Sequence, residues 1–209
     1  MLRAISSQGY RTVAACLLVL AIIGMSQANA KADTITFELD PAVIVPNGFK
    51  SIESSLVRFS ASGGGGLIVI QDFGTMNVLG TKGLGVFGTP GVHLLMDFEV
   101  PVTSLSLWFG NDDPFSTVPG DRAILQVSFD DEFVEEVFVV FNRDDIMNQQ
   151  ISFSGATFNR ARFFFSQEFF LAEAVDNIEF TPIPEPATIT LLGIGIAGIV
   201  AKLRRRNLG

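Results

Sequence analysis

The chain has 209 residues, with 14 lysines and arginines against 22 aspartates and glutamates, and its net charge is −8. That balance disfavours nucleic acid and anionic lipid as partners of the folded part, and leaves room for Ca²⁺ or neutral glycans. A single cysteine and a single histidine exclude zinc sites of the Cys/His type.

Residues 1–30 read as a secretory signal peptide with a helical apolar segment. Arg3 and Arg11 supply the positive start, Val13 to Ile23 the apolar region, and Ala28-Asn29-Ala30 a small-x-small site for signal peptidase. Val13-Ala14-Ala15-Cys16 looks like a lipoprotein box, but Cys16 lies inside the apolar region rather than after it. Cleavage after Ala30 therefore removes the only thiol. The exported domain must then be stabilised by its core alone.

Residues 31–183 read as one domain. Six of the 14 basic residues and one of the 22 acidic residues belong to the two ends, so residues 31–184 keep eight against 21, a net charge of −13. All twenty phenylalanines fall between Phe37 and Phe180. Rings without a polar handle belong mainly in a core.

The pattern in this stretch has period 2. Thr34–Leu39 and Ser55–Ala61 read as strands, Ser62 to Gly66 as a turn, and Leu67–Ile70 as a short apolar strand. From Asp72 to Gly91 recurring glycines argue against a helix. Val92–Val100, Val102–Phe109, Ala123–Phe129, Phe133–Phe141, Ile151–Phe153, Ala161–Ser166 and Val175–Phe180 all read as strands. Phe163-Phe164-Phe165 is apolar on both faces, which places it mid-sheet. The expected fold is all-β, an antiparallel β-sandwich of jelly-roll type, flanked by the signal helix and a C-terminal transmembrane helix.

Catalytic constellations are sparse. His93 sits between Val92 and Leu94 with no nucleophile elbow to serve, and reads as a structural or surface strand residue. Glu135-Glu136 and Asp130-Asp131-Glu132 offer carboxylates for glycoside cleavage, but neighbours on a strand face opposite sides. Asn111, Asp112, Asp113 and Asp121 put hard oxygen ligands on one loop, a candidate structural calcium site without EF-hand spacing. No catalytic residue is assigned.

Residues 184–209 form a last unit. Pro184-Glu185-Pro186 fixes φ twice and removes two donors, leaving an extended peptide that a protease can thread. Ala187 to Ala201 carries no charge and, as a helix, would span roughly 22 Å at about 1.5 Å per residue. Lys202, Arg204, Arg205 and Arg206 hold its far end in the cytoplasm by the positive-inside rule. Gly193 to Gly198 fits G-x-G-x-x-G, but no acidic residue follows at the required distance, so small-residue helix packing explains it better.

The order of motif, apolar segment and basic tail resembles the PEP-CTERM signal, read by exosortase-type membrane proteases. The resemblance implies export across the inner membrane, transient anchoring there, cutting near Pro184-Glu185-Pro186, and a final place at the cell surface or outside. Met96 to Val102, Leu107 to Asn111 and Val175 to Phe180 resemble the jelly-roll bodies that precede such signals, bodies that look like carbohydrate-binding modules. Three roles are compatible with these readings: a non-catalytic protein of exopolysaccharide or biofilm matrix, which the sorting signal favours; a polysaccharide-active enzyme with two carboxylates; or a purely structural surface protein.

Overall fold

The computed structural model describes residues 31–63, 65–89, 91–166, 172–184 and 195. Lys31–Ile183 is one compact unit. It holds ten strands: β1 (Asp33–Ile35), β2 (Ile44–Val45), β3 (Val57–Ala61), β4 (Leu67–Asp72), β5 (Lys82–Phe87), β6 (Leu94–Gly110), β7 (Arg122–Phe129), β8 (Glu132–Val140), β9 (Gln149–Phe165) and β10 (Glu173–Pro182). Every strand pairing is antiparallel. The signal helix and the transmembrane helix expected from the sequence lie outside the described residues, and among those described no helix is long and apolar enough to cross a membrane.

Two long strands make the β-sandwich. The first part of β6, Leu94 to Phe98, pairs with β3 on one side and with the end of β9 on the other, and β9 continues to β7 and β8. The second part, Val102 to Gly110, pairs with β10 and the start of β9, and β10 continues through β5 to β4 and β2. Register shifts fall between Asp97 and Ser104, where both long strands turn from one layer into the other. Strands that switch sheets in this way make the corners of a sandwich. Gly155 sits at that bend with φ +117°, a conformation closed to most side chains.

The inner faces meet through phenylalanine rings. Phe109 of the second layer lies 5.7 Å from Phe163 of the first, and Phe98 lies 5.2 Å from Phe180. Alternation on β7 turns Ala123, Leu125 and Val127 inward, and on β6 it does the same for Leu105, Leu107 and Phe109, as the period-2 reading predicts. Ring pairs at these separations add roughly 0.5–1.5 kcal/mol each beyond the area they bury.

Several boundaries differ from the sequence reading, for physical reasons. Thr34–Leu39 is not one strand: β1 ends at Ile35, and Phe37 takes φ +59° to drop its ring into the core. The Glu53 carboxylate holds this turn by accepting from the Thr36 and Leu39 amides at 2.5 and 3.1 Å, and Leu39 ends 69% exposed. The glycine-rich stretch contains β5, which the sequence did not suggest. A Cβ on Gly83 would stand 2.9 Å from the Val175 carbonyl, so the close approach of β10 demands glycine there. Val92–Val100 and Val102–Phe109 are one strand running through Pro101, and Ile151–Phe153 and Ala161–Ser166 are one strand too.

Both ends of the unit lie together. Asp33 pairs with Phe180, and the last described backbone hydrogen bond runs from the Ile183 amide to the Pro101 carbonyl.

Candidate binding face

The outward face of the first layer carries the most organised exposed chemistry. Because Ala123, Leu125 and Val127 point inward, Arg122, Ile124 and Gln126 point out. Register places Ile124 between Phe138 of β8 and Phe164 of β9, which makes a cross-strand apolar row Phe138–Ile124–Phe164. Phe138 is 51% exposed, and Ile124 and Phe164 are half-buried. The His93 ring packs on Phe164 with centroids 4.7 Å apart, which extends the row toward β6.

Cations lie on these rings. The Arg122 guanidinium sits 4.1 Å above the Phe138 centroid, and that of Arg162 sits 4.7 Å above Phe164. Such stacking places positive charge on the negative face of the ring. One step along, Gln126 Nε2 donates to Glu136 Oε2 at 2.7 Å. Arg162 Nε is buried and makes no hydrogen bond.

The next row is already paired. Arg160 bonds Asp97 and Asp131, and Arg58 Nε lies 2.6 Å from Glu99, which also takes Lys50 at 2.6 Å. The hydrogen bond from Arg58, followed by that from Lys50, pulls the Glu99 carboxyl down to about 2. Arg122 and Arg162 have no carboxylate partner among the described residues. Rings with guanidinium, amide and carboxylate groups around them can stack an apolar ring face and bond its polar rim.

Neither phenylalanine nor either arginine was singled out by the sequence reading. The available signal was Phe163-Phe164-Phe165: in an antiparallel layer with a single buried face, the middle ring must face outward.

The side chains of the expected calcium loop are bonded to backbone groups, partly its own and partly those of neighbouring segments. Asp112 is wholly buried, with Oδ2 accepting from the Arg143 amide at 2.6 Å and Oδ1 from the Asp145 amide at 3.1 Å. Asp113 Oδ1 accepts from the Phe115 amide at 2.8 Å, and Asp121 Oδ2 from the Val118 amide at 2.7 Å. Asn111 turns away and donates to the Ala172 carbonyl at 2.6 Å. Among the described residues no three His, Cys, Asp or Glu side chains converge as a metal site would require. Asp145, from the facing loop, has one buried carboxylate oxygen with no hydrogen bond. Burial raises its pKa first, and the Asp113, Asp112 and Asp144 charges raise it further.

The carboxylates weighed for glycoside cleavage are scattered. Asp130 and Asp131, with φ +49° and +68°, form the two-residue turn between β7 and β8, where positive φ at both positions suits the strand twist. Asp130 is bonded to Asn159 and Asp131 to Arg160, while Glu135 and Glu136 are exposed on the edge strand β8. His93 lies buried against Glu173 at 3.1 Å rather than at the surface, and burial raises the Glu173 pKa. Pro184 is exposed just past β10. Glu185, Pro186, Lys202, Arg204, Arg205 and Arg206 lie outside the described residues, as do Ala28 and Ala30.

A model of the PEP-CTERM protein-sorting motif matches residues 182–206, which takes in Pro184-Glu185-Pro186 and the basic tail. The motif marks a protein for export, anchoring by its C-terminal tail and processing by an exosortase. No curated protein matches the chain. Among solved structures, a DUF4465 family protein from Bacteroides caccae aligns with TM-score 0.50 at 13% identity, over 73% of this chain and 100% of that one. It supports the β-sandwich fold. An arabinose-bound MgGH51 α-L-arabinofuranosidase aligns with TM-score 0.49 at 10% identity over 75% of this chain, which spans 27% of the enzyme. TmCBM61, solved with β-1,4-galactotriose, aligns with TM-score 0.40 at 12% identity over 66% of this chain and 100% of that one.

Proposed function

We propose that residues 31–183 are a non-catalytic, jelly-roll-type saccharide-binding domain, delivered outside the cell and associating there with exopolysaccharide or biofilm matrix. The observation that carries this reading is the outward row Phe138–Ile124–Phe164 with Arg122 and Arg162 stacked on its rings. Phe138 is 51% exposed beside Arg122 and Ile124, and flat aromatic surface beside hydrogen-bonding groups is what a sugar ring needs. The sorting motif supports that location. The test is retention of the full chain, in non-ionic detergent, on a panel of immobilised polysaccharides. Phe138→Ala and Phe164→Ala should each weaken retention about tenfold while the far-ultraviolet dichroism stays unchanged. Wild-type protein that passes every polysaccharide unretained would end this reading.

Calcium at Asn111, Asp112, Asp113 and Asp121 is a separate proposal, supported at its Asp112–Asp113 end by Asp145, which feels both charges and has one carboxylate oxygen without a hydrogen bond. Carbonyls and water would complete the six to eight oxygens calcium takes. Calcium should raise the melting temperature relative to chelator, and Asp121→Ala should remove the rise. Equal melting points in the two buffers would leave these residues as turn caps alone.

A further inference from the structure

We infer that the ligand of this face is an acidic polysaccharide, with Arg122 and Arg162 receiving its anionic groups on either side of the apolar row; the inference rests on the saccharide reading above. Residues 31–184 hold only eight basic residues against 21 acidic ones. Four of those eight, Arg58, Arg122, Arg160 and Arg162, stand on the strands of this one layer. Arg58 and Arg160 are consumed by Glu99, Asp97 and Asp131. Arg122 and Arg162 are not, in a domain with carboxylates to spare. Each guanidinium instead lies over a phenylalanine ring, 4.1 and 4.7 Å from the centroid.

That arrangement suits an external oxyanion. A guanidinium over a ring can still present its two terminal nitrogens to a carboxylate or sulfate in two parallel bonds. In Arg162, whose Nε is buried, these terminal nitrogens are the ones that would serve. Arg162 is opposite Gln126, and Arg122 is four residues from Gln126 on the next strand. Their backbones are therefore roughly 14 Å apart, from about 3.4 Å per residue and 4.8 Å per strand. A chain with charged units along it can meet both cations while its uncharged ring faces rest on the exposed apolar surface of the row Phe138–Ile124–Phe164. Among the described residues two carboxylates are bonded at this patch, Glu136 to Gln126 and the buried Glu173 to His93. At physiological ionic strength the screening length is about 8 Å, so the carboxylates elsewhere in the domain do not cancel the local field.

Affinity electrophoresis of the full chain in non-ionic detergent tests this, with alginate, dextran sulfate and neutral dextran in separate gels. Retardation by alginate or dextran sulfate but not by dextran is expected; the two acidic gels separate carboxylate from sulfate as the anion read. Arg122→Gln and Arg162→Gln should each reduce the affinity about tenfold, Arg162→Lys should recover part of it, and Arg58→Gln should leave it unchanged. Unaltered melting temperatures would separate lost binding from lost fold. Retardation by dextran that Phe138→Ala abolishes and Arg162→Gln does not would overturn the acidic class and keep the saccharide reading. No retardation by any of the three would overturn the acidic class, while retention on other polysaccharides would still decide the saccharide reading by itself.

Discussion

Phe163 is the residue on which both layers lean. It is fully buried, with Phe109 at 5.7 Å and Phe165 at 5.6 Å. Phe163→Ala removes a ring that no neighbour can replace, so unfolding in urea should show a loss of about 3–5 kcal/mol. Asp176 is the opposite case, a wholly buried carboxylate of which one oxygen is unsatisfied and the other accepts from Asn77 Nδ2 at 2.8 Å. Burial pushes its pKa up to about 6, against 3.8 ordinarily, and the hydrogen bond from Asn77 only partly offsets this. Between about pH 4 and pH 6 the folded state keeps a proton that the unfolded state has released, so this group costs stability as pH rises. Asp176→Asn has no such proton to lose. From pH 4 to pH 7 the variant should gain on wild type by up to about 3 kcal/mol, measured by denaturant melts in chelator so that no cation discharges the carboxylate. A constant difference across that range would refute the assignment.

At the scale of elements, the sandwich depends on β6 and β9 bending together. The bend in β9 uses Gly155 at φ +117°, where a Cβ would meet nothing within 4 Å. Gly155→Ala therefore costs only backbone strain, about 1–3 kcal/mol, and the expected result is a lower urea midpoint with an unchanged β spectrum. If alanine were tolerated at no cost, the bend would not depend on that conformation. β7 and β8 raise a different matter, because their hairpin supplies Arg122, Ile124 and Phe138 together. Its register sets which residues face out, and a slip of β7 by one position would bury Arg122 and expose Ala123 and Leu125. The Asp130-Asp131 turn and its bonds to Asn159 and Arg160 on β9 hold that register.

At the scale of the whole molecule, the first and last strands of the domain lie side by side, with Asp33 paired to Phe180 and the Ile183 amide bonded to the Pro101 carbonyl. Two cuts are expected, after Ala30 and near Pro184-Glu185-Pro186. Neither would remove a described strand, since β1 begins at Asp33 and β10 ends at Pro182. Intact-mass measurement on the surface or released form should show both segments missing. A mass that still includes Ala187 to Ala201 would contradict processing at this site. Removal of the two ends also takes away Cys16 and leaves a domain with net charge −13, whose stability is the same in oxidising and reducing buffer.

The sequence by itself determined the strand character, the inward sets on β6 and β7 and the sorting motif, because each is a local pattern. Period 2 reports which residues share a face, and a proline pair before an uncharged run reports its own chemistry without reference to distant residues. What only the tertiary structure decided depends on residues far apart in the chain. Phe37 leaves its strand because a carboxylate at Glu53 caps the turn and a hole in the core receives the ring. β5 can pack against β10 because Gly83 has no Cβ to meet the Val175 carbonyl. The candidate face was illegible for the same reason: Phe138, Ile124 and Phe164 belong to three strands, and antiparallel pairing alone sets them in one row. Which arginines lack a carboxylate partner among the described residues is a tertiary fact too, since it depends on Asp97, Glu99 and Asp131 having taken the others.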